Sequence, residues 1–189
     1  MSKIDLRNYK NESESSESDF FSLPTGDTKL RVMTDFVEVK TAWEGEYPNS
    51  KPMGIITESN PALAGQKVDT KGWAWALIRG VNGAEIKKLK IVKFGSGILG
   101  MLAKLKGEGD YTWEDMPMPF DVTISNSGNG PARYTITPAR SNTPVTESEL
   151  KDLADKKPIE AIVESIVAKQ GGEKKVDYPT EDSSLLTDF

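Results

Sequence analysis

The sequence predicts a mainly β protein: a five-stranded barrel with one helix between strands three and four, followed by a C-terminal helix and an acidic tail. Three observations carry this reading. Five segments show the alternation or β-branched run of a strand, and the apolar period turns helical once among them, directly after Gly95. Two turn signals, Asn82-Gly83 and Asn126-Ser-Gly-Asn-Gly-Pro131, each join two of those segments as a hairpin. At 189 residues the chain is long enough for one domain plus appendages.

Residues 1–22 read as a flexible arm. Lys3, Arg7 and Lys10 are followed by Asn11-Glu-Ser-Glu-Ser-Ser-Glu-Ser18, which lacks the apolar surface needed to order itself. The domain spans 23–145. Its first strand is expected over Lys29–Val39, with Leu30, Val32 and Phe36 in register and Arg31 on the opposite face. Residues 41–72, broken by Gly45, Pro48, Pro52, Gly54, Pro61 and Gly65, read as a long functional or mobile loop with room for a short strand at Ile55-Ile56.

In the second strand Trp73, Trp75 and Leu77 share one face and Ala74, Ala76 and Ile78 the other. Asn82-Gly83 fits a type I′ turn, whose two central residues need positive φ. In the third strand Lys87, Leu89, Ile91 and Lys93 alternate with Lys88, Lys90 and Val92. Ile98, Leu99, Met101, Leu102 and Leu105 then form a helical stripe ended by Gly107 and Gly109. Phe120–Ser125 and Ala132–Thr137 read as strands four and five. A helical segment over 146–170 opens with the capping box Thr146/Glu149 and restarts at Pro158, and 171–189 reads as a disordered acidic tail. Three strands, a helix and two strands is the element order of the oligonucleotide/oligosaccharide-binding (OB) barrel. Periodicity alone leaves another small β-barrel or an α+β sheet open.

The formal net charge is −5 and the pI about 5.0, but the charge is uneven. Between Leu23 and Thr146 there are 15 Lys and Arg against 13 Asp and Glu; from Asp177 to Phe189 there are acids and no base. An acidic tail on a mildly basic body is a pattern of chains that handle polyanions. With neither cysteine nor histidine, disulfides, Cys/His zinc sites, Cys nucleophiles and Ser-His-Asp triads are excluded. The first residues hold no apolar core of a signal peptide, and no stretch is apolar enough to span a bilayer.

Gly95-Ser-Gly97-Ile-Leu-Gly100 matches the dinucleotide fingerprint G-x-G-x-x-G, with Glu114 and Asp115 about 20 residues on. Its context argues against it. The preceding strand carries four lysines where a central parallel strand would be apolar, and a hairpin follows instead of further βαβ units. The glycines then serve a tight strand-to-helix turn, with backbone N–H groups there available to one phosphate. No cofactor and no metal is expected.

Aromatic rings interleaved with bases suit a single strand, since bases stack on the rings while cations neutralise phosphates. The candidates are Trp43, Tyr47, Trp73, Trp75, Tyr111, Trp113 and Tyr134 with Arg31, Arg79, Lys87, Lys88, Lys90, Lys93, Arg133 and Arg140. Trp73 and Trp75 share a face, so they act together; if that face is interior, the platform must come from the loops.

The chain resembles the phage single-stranded DNA-binding proteins, OB-fold replication proteins of the helix-destabilising type. The resemblance rests on Phe21-x-Leu-Pro-x-Gly-Asp-x-Lys-Leu-Arg31-Val, the Trp75 strand and its hairpin, Val92-Lys-Phe94-Gly, Met118-Pro-Phe120-Asp-Val-Thr-Ile and Tyr134-Thr-Ile-Thr-Pro-x-Arg140-x-Asn-Thr-Pro144. It covers roughly residues 20–170 and the tail. It implies a non-enzymatic protein that coats single-stranded DNA in phage replication, recombination or repair, in the host cytoplasm. It also implies that Asp182, Leu185, Leu186, Asp188 and Phe189 dock replication proteins such as a polymerase or helicase. Some relatives carry a Cys-rich zinc insert in the first long loop; residues 41–72 contain no Cys or His. Self-association stays open. The alternative is an OB-like protein-interaction module whose lysines are merely solvated.

Overall fold

The computed structural model describes residues 18–171 apart from 47, 48, 59, 63, 64, 108, 129, 131 and 140–142. Within them lie eight strands and three helices: β1 (Phe20–Phe21), β2 (Gly26–Val32), β3 (Val37–Glu44), β4 (Lys51–Ile55), β5 (Lys67–Val81), β6 (Ala84–Gly95), α1 (Ser96–Lys106), β7 (Val122–Asn126), β8 (Tyr134–Pro138), α2 (Glu147–Ala154) and α3 (Ile159–Gly171). The strands form one mixed sheet in the order β1-β6-β5-β2-β7-β8, with β3 against β5 and β4 against β3. Only the β1–β6 pairing is parallel.

This sheet is open, which corrects the expectation of a closed five-stranded barrel. Among the described residues β8 pairs with β7 alone, and the edge of β6 is taken by β1 through Phe20↔Ile91 and Phe21↔Val92. Residues 20 and 21, assigned to the flexible arm, therefore belong to the sheet. The first strand is interrupted rather than continuous. β2 and β3 run in nearly one register along β5, from Thr28↔Val81 to Trp43↔Lys67, and residues 33–36 leave the ladder between them. There Met33 N–H donates to the Trp75 carbonyl and Trp75 N–H to Thr34 Oγ1. The expected loop over 41–72 is mostly a three-stranded ribbon of β3, β4 and the start of β5. Its outer strand carries Pro52, which an edge strand tolerates because no ladder donor is needed on its open side.

Local chemistry explains the elements that came out as expected. Asn82 and Gly83 adopt φ of 49° and 83°, as the tight β5–β6 turn requires. Thr146 and Glu149 form the capping box of α2.

The central part of β5, residues 72–79, is buried on both faces, and the two faces serve two cores. Ala74, Ala76 and Ile78 join Leu30, Val32, Val92, Phe94, Val122 and Ile124 in a core closed by Ile98, Leu102 and Leu105 of α1. Trp73, Trp75 and Leu77 join Met33, Val39, Ile55 and Ile91 in a second core, roofed by Ile159 with Leu153, Ile162, Val163 and Ile166 of α2 and α3.

Candidate nucleic-acid interface

The roof decides what the tryptophans do. Trp73 and Trp75 are only 4% and 2% exposed, and the Trp75 indole donates from Nε1 to the Lys157 carbonyl at 3.0 Å. Neither presents a ring face for stacking, because the α2–α3 segment covers that side of β5; this corrects their assignment as a platform. Trp113 is buried against Phe120, and Tyr111 packs edge-on against the same ring.

Arg31 and Arg79 are also interior. Arg31 Nε donates to Asp121 Oδ1 at 2.7 Å, with Asp121 fully buried. Arg79 lies 3.6 Å from the same oxygen and donates to Glu149 Oε1 at 2.7 Å and to the carbonyls of Thr143 and Pro144. The two guanidinium charges are matched inside the protein and tie the start of α2 to the sheet, so neither is placed to contact a phosphate.

The lysine cluster divides. Lys87, at a φ of 52°, pairs with Glu85 at 2.7 Å. Lys87, Lys88 and Lys90 share a cavity of about 510 Å³ with Lys156 but also with Asp19, Asp152 and Asp155, and Lys90 Nζ donates to the Ser18 carbonyl. Three carboxylates face four lysines in that groove, and Glu85 pairs with one of the four, Lys87. Lys93 stands apart from the groove. Tyr47, Arg140, Asp182, Leu185, Leu186, Asp188 and Phe189 lie outside the described residues.

Lys93 meets Arg133 and Tyr134 at the seam where the sheet stays open. A cavity of about 290 Å³ runs between the β1–β6 edge and β8 there, lined by Phe20, Phe21, Lys71, Lys93, Arg133 and Tyr134 together with Ser22, Leu23, Gly95 and Ile98. Parallel pairing with β6 sets Phe20 beside Trp73, their centroids 5.3 Å apart and edge-on. Lys93 Nζ sits 4.4 Å from the Phe20 centroid and 4.3 Å from that of Trp73, and the Arg133 guanidinium lies 4.8 Å from the Tyr134 ring. Lys71 is paired with Asp69 at 3.1 Å, whereas Lys93 and Arg133 have no carboxylate partner among the described residues.

Lys93 is crowded at the seam, and the N-terminus of α1 adds positive potential there. Burial, then the charge of Lys71, pull Lys93 below the ordinary lysine pKa of 10.5. The N-cap of α1 is Gly95, which has no side chain to cap the first turn, and no acid lies in that turn. Its N–H groups and the positive end of the helix dipole are thus presented where Gly95 and Ile98 line the cavity. Every formal charge lining the cavity is positive, and aromatic rings stand beside those charges. That combination can hold a phosphate and stack a base.

Sequence reasoning missed Phe20, Phe21 and Lys71 as site residues. The aromatic pair beside a Ser/Glu-rich arm was the available signal for the first two; nothing local marks Lys71. The glycine fingerprint sits after an antiparallel strand and before an antiparallel pair, so no βαβ unit surrounds it. Among the described residues no cluster of acidic side chains could hold a metal, and no helix is long and apolar enough to cross a membrane. A scan against protein-family models found no match to this chain, and a search of curated proteins found none.

Proposed function

We propose that this protein binds and coats single-stranded DNA with little sequence preference, as a non-enzymatic factor of phage replication, recombination or repair acting in the host cytoplasm. The observation that carries the reading is the seam cavity, where Lys71, Lys93 and Arg133 converge beside Phe20 and Tyr134 with no carboxylate in the lining. Backbone neutralisation and stacking require no particular base, which accounts for the breadth of recognition.

The fold supports the reading through its strand order. If β3 is counted as the continuation of β2, the path β6-β5-β2-β7-β8 is that of an OB barrel parted between its third and fifth strands, with the helix in the expected place. The seam is that parting. On the sequence alone, Asp182, Leu185, Leu186, Asp188 and Phe189 are proposed to dock replication proteins such as a polymerase or helicase.

A titration of a labelled single-stranded oligonucleotide, competed with duplex DNA and with RNA over a salt series, tests the reading. Single-stranded DNA is expected to bind more tightly than duplex, with affinity falling as salt rises. Equal affinity for duplex and single strand, or no binding, would overturn it.

A further inference from the structure

The β3–β4–β5 ribbon extends past the seam. The last β5–β6 pair is Lys71↔Gly95, so residues 67–70 continue beyond β6 with β3 alone beside them among the described residues. At the ribbon's tip a shallow cavity of about 280 Å³ is lined by Trp43, Gly45, Ser50, Lys67, Val68 and Asp69. Of the four tryptophans, Trp43 is the one that is only half-buried, with its indole Nε1 enclosed. Val68, at 50% exposure, is one of two large apolar side chains left open to solvent among the described residues.

Of the two charges lining this slot, Asp69 is already paired, which leaves Lys67 to meet an anion. Lys67 is exposed and has no ion-pair partner among the described residues. Asp69 is neutralised by Lys71 at 3.1 Å, and Glu44 lies opposite Lys51 across β3–β4. Lys67 and Lys71 are four residues apart on one strand and face the same way, which sets their Cα atoms about 13 Å apart. Lys71 lines the seam and Lys67 lines the slot. A stacked strand carries about one phosphate per 3.4 Å, so this gap is the length of about four stacked nucleotides, or fewer when the strand is stretched.

We infer that the ribbon tip is a second base-stacking subsite for the strand held at the seam, with Trp43 as the stacking ring and Lys67 as its phosphate contact. The inference rests on the single-strand reading above. Together the two subsites set a minimum length for tight binding: a strand too short to bridge them engages the seam alone.

The test is a length series of oligo-dT, from about 2 to about 12 nucleotides, bound to the full chain and to Trp43→Ala, Trp43→Phe, Lys67→Ala and Lys93→Met. Wild-type affinity should step up at the length that bridges the two subsites. Trp43→Ala should remove the step, weakening long oligomers by about fivefold to a hundredfold and leaving the shortest unchanged. Trp43→Phe retains a ring and should keep most of the step, while abolishing tryptophan quenching by DNA, since the other three indoles are buried. Lys67→Ala should lower the step and Lys93→Met should weaken every length. Circular dichroism and thermal melts confirm that each variant is folded. A smooth length dependence, or Trp43→Ala acting alike on all lengths or on none, overturns the second subsite while leaving single-strand binding intact. Wild-type protein that binds no length overturns both.

Discussion

Lys93 is held against its own preference. Its ammonium sits on the rings of Phe20 and Trp73 with Lys71 nearby, and its pKa is lowered. In the interval between its folded and unfolded pKa the unfolded chain binds more protons, so stability rises with pH there; below both values the penalty is fully present. Lys93→Met keeps the apolar stem and removes the charge. The variant should melt at the same or a higher temperature than wild type at neutral pH, with any gain shrinking as the pH approaches about 10. Its affinity for single-stranded DNA should fall, and the slope of log K against log salt should flatten by about 0.7. Asp121 has the opposite character. It is fully buried between Arg31 and Arg79, and Asp121→Ala leaves two guanidinium groups without their shared carboxylate. Denaturant unfolding should show a loss of about 3–5 kcal/mol. Neither role was readable from residue type. Arg31 and Lys93 both alternate with apolar neighbours, and only the positions of Asp121, 90 residues from Arg31, and of β1 separate them.

Among the elements, α1 and the α2–α3 segment carry opposite lessons. Gly97 and Gly100 lie within α1, and a Cβ added to either meets open space, with no positive φ at either site. The glycines that matched a dinucleotide fingerprint are thus not required by close packing. Gly100→Ala should raise stability by about 0.5–1 kcal/mol, because it removes backbone freedom from the unfolded chain and improves helix propensity. Equilibrium unfolding of the variant checks this, and calorimetry with NAD should show no binding. The α2–α3 segment turns the Trp73/Trp75 face into a core. Trp75→Ala should therefore cost about 3–5 kcal/mol, with the DNA affinity of the folded fraction unchanged. A loss of affinity without a loss of stability would return Trp75 to the interface. Short signals marked several elements well: Asn82-Gly83 for its turn, Thr146 with Glu149 for the start of α2. β1 was not legible, since a two-residue parallel strand has too few positions to show a period and exists only because β6 offers an edge.

Across the whole molecule, a chain of net charge −5 is proposed to bind a polyanion because local charge at the contact outweighs the total. Four bases border the seam and the ribbon tip: Lys67, Lys93 and Arg133, and Lys71, which is paired with Asp69. Anisotropy titrations over a salt series should then give a slope of about −2 to −3, from about 0.7 per phosphate. A slope steeper than about −5 would mean that the Lys87–Lys90 groove also engages DNA. The sequence by itself determined the strands of the β5–β6 hairpin, the helix that follows, the β7–β8 pair and the capped helical segment. Those depend on alternation, turn residues and caps within a few positions of one another. Only the tertiary structure decided which face of the tryptophan strand is covered, that β1 keeps the sheet open, and which bases gather at the seam. β5 is apolar on both sides, so its periodicity could not choose between a solvent-facing platform and a second core. The choice came from a cover about 80 residues away, anchored where the Trp75 indole meets the Lys157 carbonyl, and alternation within a strand carries no information about contacts at that distance.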